Sequence, residues 1–454
     1  MNYDLQLINA PLDAGYMKAS RTGNYPPPGI VALASYLLER SPKLNIELMD
    51  GEICDLNVLC KRITAKTVGI SCNVMTYGSA LVLAKAASDA GAKVILGGPY
   101  PSSMPAAILK NRAFVDAVVV GDGEMALHDY VSGKPYRDIP NLCYRGPFGV
   151  IENPQATMDL ETLPLPNYLS LPLDAYFQNF KQRYGAFKPF TRSLPIYSRK
   201  GCVWRDASRG GCVFCMIPHR GVRYKSPRRC WAEIAFLERE CGVNFFWEVC
   251  DTFTENSHWI DDFVATKPAR SGARFHVYAR ANNISRHMAC QLKRLGVYEV
   301  FIGAESGDDG LLAAANKGTT TDQVRKAVEL LAEQDIQVIL SFVLGLPGET
   351  ARTLQKTIDF ARELYCYGNI VETSTSTLLP IPGSTAFENL IAIPDMARKY
   401  AGDQLDLEEL KRDWIKCFTR THPSELQQAL AETWRMFPLN NTFWQRNAAS
   451  APLC

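Results

Sequence analysis

Short, nearly continuous runs of Val, Ile and Leu recur along this chain, each followed by a helix-compatible stretch, and that alternation is its strongest constraint. Before residue 131 the runs are LQLINAP (5–11), NIELMD (45–50), TVGISC (67–72), KVILGG (93–98) and DAVVVGDG (116–123). Between them lie GIVALASYLLER, DLNVLCKRITA, YGSALVLAKAASDAG and MPAAILKNR. Strands that are apolar on both faces and separated by amphipathic helices predict a doubly wound parallel sheet of Rossmann type. Such sheets bind ligands beyond the carboxyl ends of their strands. Those ends carry Asp50-Gly51, Ser71-Cys72-Asn73, Gly97-Gly98-Pro99 and Gly121-Asp122-Gly123-Glu124. Small residues let a backbone approach a large ligand, although tight strand-to-helix turns use the same glycines. Four such ends together favour a ligand.

A second series begins with LPIYSRK (194–200) and continues through VNFFWEVCD (243–251), RFHVYAR (274–280), YEVFIGAES (298–306), QVILSFVLG (337–345) and IVETSTSTLL (370–379). Six βα-type units predict a partial (β/α)6 barrel of TIM type, whose working face lies at the carboxyl ends of its strands. Residues 136–192 are rich in Pro and aromatics without a sustained period, and they read as a linker packed over its neighbours. The stretches LDLEELKRDWIKCF and SELQQALAETWRMF predict a helical cap. The expected α/β organisation is therefore a sheet domain at 1–135, a linker at 136–192, a barrel at 193–385 and a cap at 386–454.

A net charge of +2 over 454 residues gives no global argument for nucleic acid or an anionic membrane as partner. The N-terminal MNYDLQLINAPL reads as a strand rather than a secretory signal, and apolar runs such as VILSFVLGL (338–346) fall short of the ~20 residues that span a bilayer. The expected location is the cytoplasm. There, fourteen cysteines do not suggest a disulfide framework, so a tight cluster of them points to metal or redox chemistry. Cys54, Cys60, Cys72, Cys230, Cys250 and Cys290 are scattered among apolar neighbours and read as core residues.

The tight cluster is 201-GCVWRDASRGGCVFC-215, directly after the first barrel strand. Cys202, Cys212 and Cys215 can supply three thiolates, with the Cys-x-x-Cys pair on one turn and Gly210-Gly211 letting the loop fold back. Two centres fit this set. His219 could complete a closed tetrahedral zinc site. Alternatively, the three thiolates could hold an iron–sulfur cluster with one open iron, as a reactive centre needs.

Downstream, WEVCDTFTEN (247–256), VYARAN (277–282), FIGAESGDDGLLAAANKG (301–318) and SFVLGLPGET (341–350) follow at successive strand ends. With the cysteine loop, these resemble the radical S-adenosylmethionine enzymes that carry an N-terminal cobalamin-binding domain. The resemblance extends to YPPPGIVALASYL (25–37), VGISC, VILGGPYPSS (94–103) and VVGDGE (119–124). It implies that Cys202, Cys212 and Cys215 ligate a [4Fe–4S] cluster, with Phe214 as the aromatic before the last ligand. The gap of nine residues between the first two cysteines, where three are usual, is a departure. S-adenosylmethionine contacts are implied for Glu248, Asp251, Arg280, Glu305, Ser306 and Gly345, with Glu349 a further candidate. Charged residues at strand ends are also often halves of structural ion pairs, and Glu349 could instead sit in the first turn of a helix.

For cobalamin the resemblance implies Ser71, Asn73, Gly97, Gly98, Pro99, Tyr100, Gly121, Gly123 and Glu124, with Met75 and Tyr77 as candidates for the lower face of cobalt. Tyr100 follows Gly-Gly-Pro where His is common, and no Asp-x-His-x-x-Gly motif is present. His128, expected on a helix, is the only histidine before residue 219, so the family's precedent implies cobalamin without a histidine lower ligand. The implied activity is methylation of a carbon or phosphorus centre of a metabolite or peptide through a 5′-deoxyadenosyl radical and methylcobalamin. Electrons would come from a flavodoxin- or ferredoxin-type donor. A rearrangement or oxidation without methyl transfer, and a non-catalytic zinc protein, are the alternatives.

Overall fold

The computed structural model describes residues 2–13, 23–206, 208–217 and 221–436. Those of 1–195, 233–243 and 394–405 form one compact unit, and those of 196–232, 244–393 and 406–454 form the other.

The first unit is built on β1 (Tyr3–Asn9), β2 (Ile46–Asp50), β3 (Ala65–Ser71), β4 (Lys93–Gly97), β5 (Ala117–Val119), β6 (Leu142–Gly146) and β7 (Gly149–Glu152), in the order β2-β1-β3-β4-β5-β6-β7. The first five strands pair in parallel, and the last two add antiparallel. The chain leaves β1 for β2 on one side and returns to β3 on the other. The switch point therefore lies between the carboxyl ends of β1 and β3, where such sheets open a crevice. Leu5, Leu7, Ile8, Val68, Ile70, Val94 and Leu96 are at most 2% exposed, as strands covered on both faces require. The covering helix Pro28–Arg40 buries Ile30, Val31, Ala34 and Leu37, one stripe at helical spacing.

The expected linker is more structured than its sequence suggested. Its Gly146-Pro147-Phe148-Gly149 turn joins β6 to β7, which extend the sheet. The helix Leu173–Tyr184 buries Tyr176, Phe177 and Phe180. The expected cap also divides, because 394–405 belongs to the first unit. Asp403 is the reason: 2% exposed, it accepts from the Tyr77 hydroxyl at 2.6 Å and pairs with Arg112 Nε at 2.7 Å, and its carbonyl accepts from the Tyr100 hydroxyl at 2.6 Å.

A second, open sheet runs in sequence order through β8 (Ser193–Ile196), β11 (Phe245–Glu248), β12 (Arg274–Ala279), β13 (Val297–Glu305), β14 (Gln337–Leu344) and β15 (Ile370–Thr377), the partial barrel expected, and its strands from β11 onward belong to the second unit. The two short strands β9 (Arg199–Lys200) and β10 (Arg223–Tyr224) pair antiparallel at the base of the cysteine loop. Side chains alternate between the sheet's faces. Val300, Ile302, Val338, Leu340 and Phe342 are fully buried on one face. On the other, Trp247 donates to the Tyr278 hydroxyl at 3.1 Å, and His276 meets Glu299 at 2.8 Å. Helices follow the strands, and Pro423–Arg435 covers β15 through Thr433 and Trp434.

Candidate active site

The cysteine loop is anchored at its entry by three carboxylates from the end of β11 and the segment after it. Glu248 accepts from the Ser198 amide at 2.8 Å, Asp251 from Gly201 at 2.8 Å, and Glu255 from Val203 at 3.1 Å. Each acid thus holds one peptide of the strand-to-loop turn. Burial raises the pKa of Glu248 and Glu255. Glu248 is 2% exposed, whereas Asp251 is open to solvent. For these two expected cosubstrate residues, the bonds on view are structural, and Glu255, which sequence reasoning missed, completes the set.

Cys202 and Cys212 are buried and Cys215 half-buried, with the Cys215 amide closing a turn onto the Cys212 carbonyl at 3.0 Å. Burial pushes the Cys202 thiol up to about 12 and the Cys215 thiol up to about 11. Cations surround them: Arg280 Nη1 points at Cys212 Sγ from 3.9 Å, and Arg205 Nη1 donates to the Cys215 carbonyl at 2.6 Å. Three thiols on one loop are the donors an iron–sulfur cluster takes as thiolates, although here burial and, at Cys202, the Glu255 carboxylate favour the neutral form. Among the described residues no three His, Cys, Asp or Glu side chains are close enough to hold a single ion. His219 lies outside the described residues. Phe214 is half-buried between Val213 and Cys215.

The long gap between Cys202 and Cys212 has a structural use. Trp204 donates its indole N–H to the Asn316 carbonyl at 2.6 Å, and a Cβ on Gly318 would lie 2.0 Å from the ring. The Arg280 guanidinium lies 4.7 Å from the centre of the same ring. Asn316 Nδ2 donates back to the Arg209 and Gly211 carbonyls at 2.6 and 2.8 Å. The Val213 amide reaches the Ala315 carbonyl at 2.9 Å, and Arg205 Nη2 the Gly383 carbonyl at 2.8 Å. The extra residues fasten the cluster loop to the segment after β13.

That segment supplies the site's buried ion pair. Lys317 Nζ lies 2.6 Å from Glu305 Oε1, with both side chains under 10% exposed. Burial works against the Lys317 charge, but Glu305 and Cys212 outweigh it and raise the pKa. Gly303 makes room, since a Cβ there would fall 2.2 Å from Glu305 Oε1. Glu305 takes a left-handed φ of 61°, and its Oε2 is buried without a partner. An orphaned carboxylate oxygen fits the ammonium of an amino-acid cosubstrate. Arg280 Nη2 donates to the Lys317 carbonyl, so Arg280, Glu305 and Lys317 converge beside Cys212.

Other expected contacts are engaged elsewhere. Ser306, 1% exposed, bonds Thr357 at 3.2 Å and the Asp308 amide at 3.2 Å. Gly345 is held on both sides, its amide by Glu349 Oε2 at 2.6 Å and its carbonyl by Trp414 Nε1 at 2.8 Å. Glu349 is thus a loop-fastening residue, and burial pushes its carboxyl up to about 7.

In the first unit two strand ends leave space: among the described residues nothing lies within 4 Å of a Cβ placed on Gly121, and only the Val119 carbonyl, at 4.0 Å, on Gly97. Gly98, at φ 99°, passes so close to β3 that a Cβ would meet the Cys72 carbonyl at 2.6 Å. Ser71 and Asn73 lie at the switch point, where Asn73 Oδ1 accepts from the Met75 amide at 2.9 Å and shapes the turn. Pro99 is exposed, Gly123 packs near Leu33 and Glu124 is 4% exposed. Such a cradle of small residues fits a large flat ligand. Two expected contacts are corrected: Tyr77 and Tyr100, 3% and 1% exposed, turn their hydroxyls inward to Asp403. His128 sits on the helix Glu124–Val131 with Nε2 3.3 Å from Ser41 Oγ.

Comparison with known proteins agrees with both halves. The B12-binding domain model matches residues 16–131, and the radical SAM superfamily model matches residues 200–361. An uncharacterized methyltransferase of Pyrococcus horikoshii is 27% identical over 384 residues, covering 81% of this chain and 79% of that protein. The anaerobic magnesium-protoporphyrin IX monomethyl ester cyclase of Rubrivivax gelatinosus is 23% identical over 453 residues, covering 94% of this chain and 76% of that one. Among solved structures, the radical S-adenosylmethionine methyltransferase TsrM of Kitasatospora setae superposes with a TM-score of 0.65 at 18% identity, over 86% of this chain and 77% of its own. The chain is an enzyme of the radical S-adenosylmethionine family, of the group that joins a cobalamin-binding domain to the [4Fe–4S] barrel.

Proposed function

We propose that this enzyme transfers a methyl group to an unactivated carbon, or to phosphorus, of a metabolite or peptide. The observation that carries the reading is the pairing of a three-thiol loop ringed by Arg280, Lys317 and Arg205 with an open switch-point cradle in the same chain. When bound, the cluster with S-adenosylmethionine supplies a 5′-deoxyadenosyl radical, and methylcobalamin supplies the methyl group. The chain's residues hold and orient. Cys202, Cys212 and Cys215 would take the cluster, and Glu305 Oε2 would accept from the cosubstrate ammonium. Arg280 keeps a positive charge on the Cys212 side, while Trp204 covers its guanidinium. No Ser-His-Asp or Cys-His set is needed, since radical chemistry requires positioning and exclusion of water more than a protein nucleophile. The external electron donor is of flavodoxin or ferredoxin type. No helix among the described residues is long and apolar enough to cross a membrane, and we assign the enzyme to the cytoplasm.

Turnover with methyl-labelled S-adenosylmethionine tests the reading: the product should gain the labelled methyl. A specific second reading, oxidation or ring closure without methyl transfer, draws support from the length of the match to the cyclase. It predicts an unlabelled product of unchanged carbon count.

A further inference from the structure

Arg199 stands on β9, three residues before Cys202, and is 1% exposed. Buried guanidinium groups are ordinarily matched by a carboxylate at bonding distance, because removing an ion from water is costly. Here no carboxylate sits at bonding distance, although the buried Glu248 and Glu255 lie close enough to feel the charge. Nη1 and Nη2 have no hydrogen-bond partner among the described residues, and Nε has only Ser198 Oγ at 3.4 Å. The guanidinium rests instead on aromatic faces, 4.7 Å from the ring of Trp259, 4.8 Å from Tyr224 and 5.3 Å from Phe253. Cation–π contacts stabilise the charge without neutralising it.

The cage is built by the same elements that carry the cysteine loop. Tyr224 pairs with Arg199 across the β9–β10 ribbon, and Phe253 lies in the loop after β11 between Asp251 and Glu255. Glu248 and Glu255 feel the Arg199 charge, but their bonds go to the loop, from Glu248 to the Ser198 amide and from Glu255 to the Val203 amide and the Cys202 thiol. The hydroxyls of Thr252 and Thr254 and the Oε2 of Glu255 are likewise buried without partners. A fixed cation and a group of unsatisfied polar atoms therefore collect at the mouth of one loop. The loop's own three thiolates and the iron–sulfur core they would hold together would form an anion, and uptake of one electron would make it more so.

We infer that Arg199 is a built-in counter-charge for the cluster, a positioning residue that makes the reduced form easier to reach. The reduction step is the uptake of one electron from the external donor, with no bond broken and no proton required. A positive charge held in a low-dielectric cage favours the more negative product of that step. The inference rests on the assignment of Cys202, Cys212 and Cys215 as cluster ligands.

The test is a redox titration of the anaerobically reconstituted full chain, followed by electron paramagnetic resonance, on wild type, R199Q and R199K. R199Q should keep its iron and line shape, yet show a reduced-to-oxidised ratio about tenfold lower at fixed poise, a shift of about 59 mV to more negative potential for a one-electron couple. R199K keeps the charge and should titrate like wild type. In the apoprotein, where the charge is unmatched, R199Q should melt no lower than wild type. An unchanged ratio in R199Q, or an equal shift in R199K, overturns the inference. If R199Q binds no iron, R199K decides: wild-type iron and potential support the counter-charge, whereas loss of iron there too makes the role geometric and overturns it. A wild-type chain that takes up no iron would instead sink the cluster assignment.

Discussion

Beside Gly97 and Gly121 the first unit leaves space at the ends of β4 and β5 among the described residues, whereas the ends of β11 to β13 in the second are crowded with buried charge. At β3 to β5 the chain offers Ser71, Gly97, Gly98 and Gly121, with open space around Gly97 and Gly121. At β11 to β13 it offers Glu248, Arg280, Glu305 and, just beyond, Lys317, all under 10% exposed. The difference follows from what each end must hold. A preformed ring needs room and backbone, while a small anionic cluster with a zwitterionic cosubstrate needs opposite charges already fixed in place. Buried charge is costly, and the second unit therefore ties each ion to a backbone group, a partner or an aromatic face.

The comparison breaks most severely at the thiols. Cys202→Ala should remove the cluster, taking iron content and cleavage of S-adenosylmethionine to background, even though the nine-residue gap makes this ligand the unusual one. Full iron in that variant would assign the third ligand elsewhere. Next comes the ion pair: Lys317→Met leaves Glu305 buried and unmatched and should cost about 3–5 kcal/mol in chemical denaturation. A loss below about 1 kcal/mol would mean that Glu305 finds water or another cation.

Two glycine replacements sharpen the contrast. Gly98→Ala sets a Cβ 2.6 Å from a backbone carbonyl at a left-handed φ, so the crevice itself must shift, at a cost of roughly 1–3 kcal/mol. Cobalamin retention on gel filtration should fall with it. Gly303→Ala meets the ends of Glu305 and Lys317, which can swing aside, so its stability loss should be the smaller while affinity for S-adenosylmethionine drops. The reverse order of stability losses would contradict the division of labour.

A last test concerns pH. Burial raises the folded pKa of Glu349 to about 7, above its unfolded value of about 4.3. Its contribution to stability is therefore fully present below about pH 4 and is lost as pH rises to about 7, a span worth up to about 4 kcal/mol. Glu349→Gln should flatten the stability profile across that window, which denaturation midpoints from pH 4 to 8 would reveal.

Much of this was legible before any coordinates. The strand runs announced both sheets because strands buried on both faces tolerate few polar residues, and the position of the cysteine loop after β8 followed from the order of elements. The β6–β7 hairpin was hidden because LCYR and VIE are short and flanked by Pro and Gly, although Gly146-Pro147-Phe148-Gly149 was a usable turn signal. Glu305 and Arg280 were readable from their place at strand ends. Glu255, Lys317 and Arg199 were not, since burial of a charged residue is a property of packing that no local pattern encodes. Tyr77 and Tyr100 misled for a similar reason: their partner, Asp403, lies over 300 residues away in the sequence.

The most direct test of the whole account is metal and cofactor analysis of the anaerobically reconstituted full chain, combined with electron paramagnetic resonance after reduction. The account predicts iron and acid-labile sulfide in the proportions of a four-iron cluster, bound cobalamin, and a reduced-cluster signal that changes when S-adenosylmethionine is added. Stoichiometric zinc without iron, or a cluster signal indifferent to S-adenosylmethionine, would contradict it.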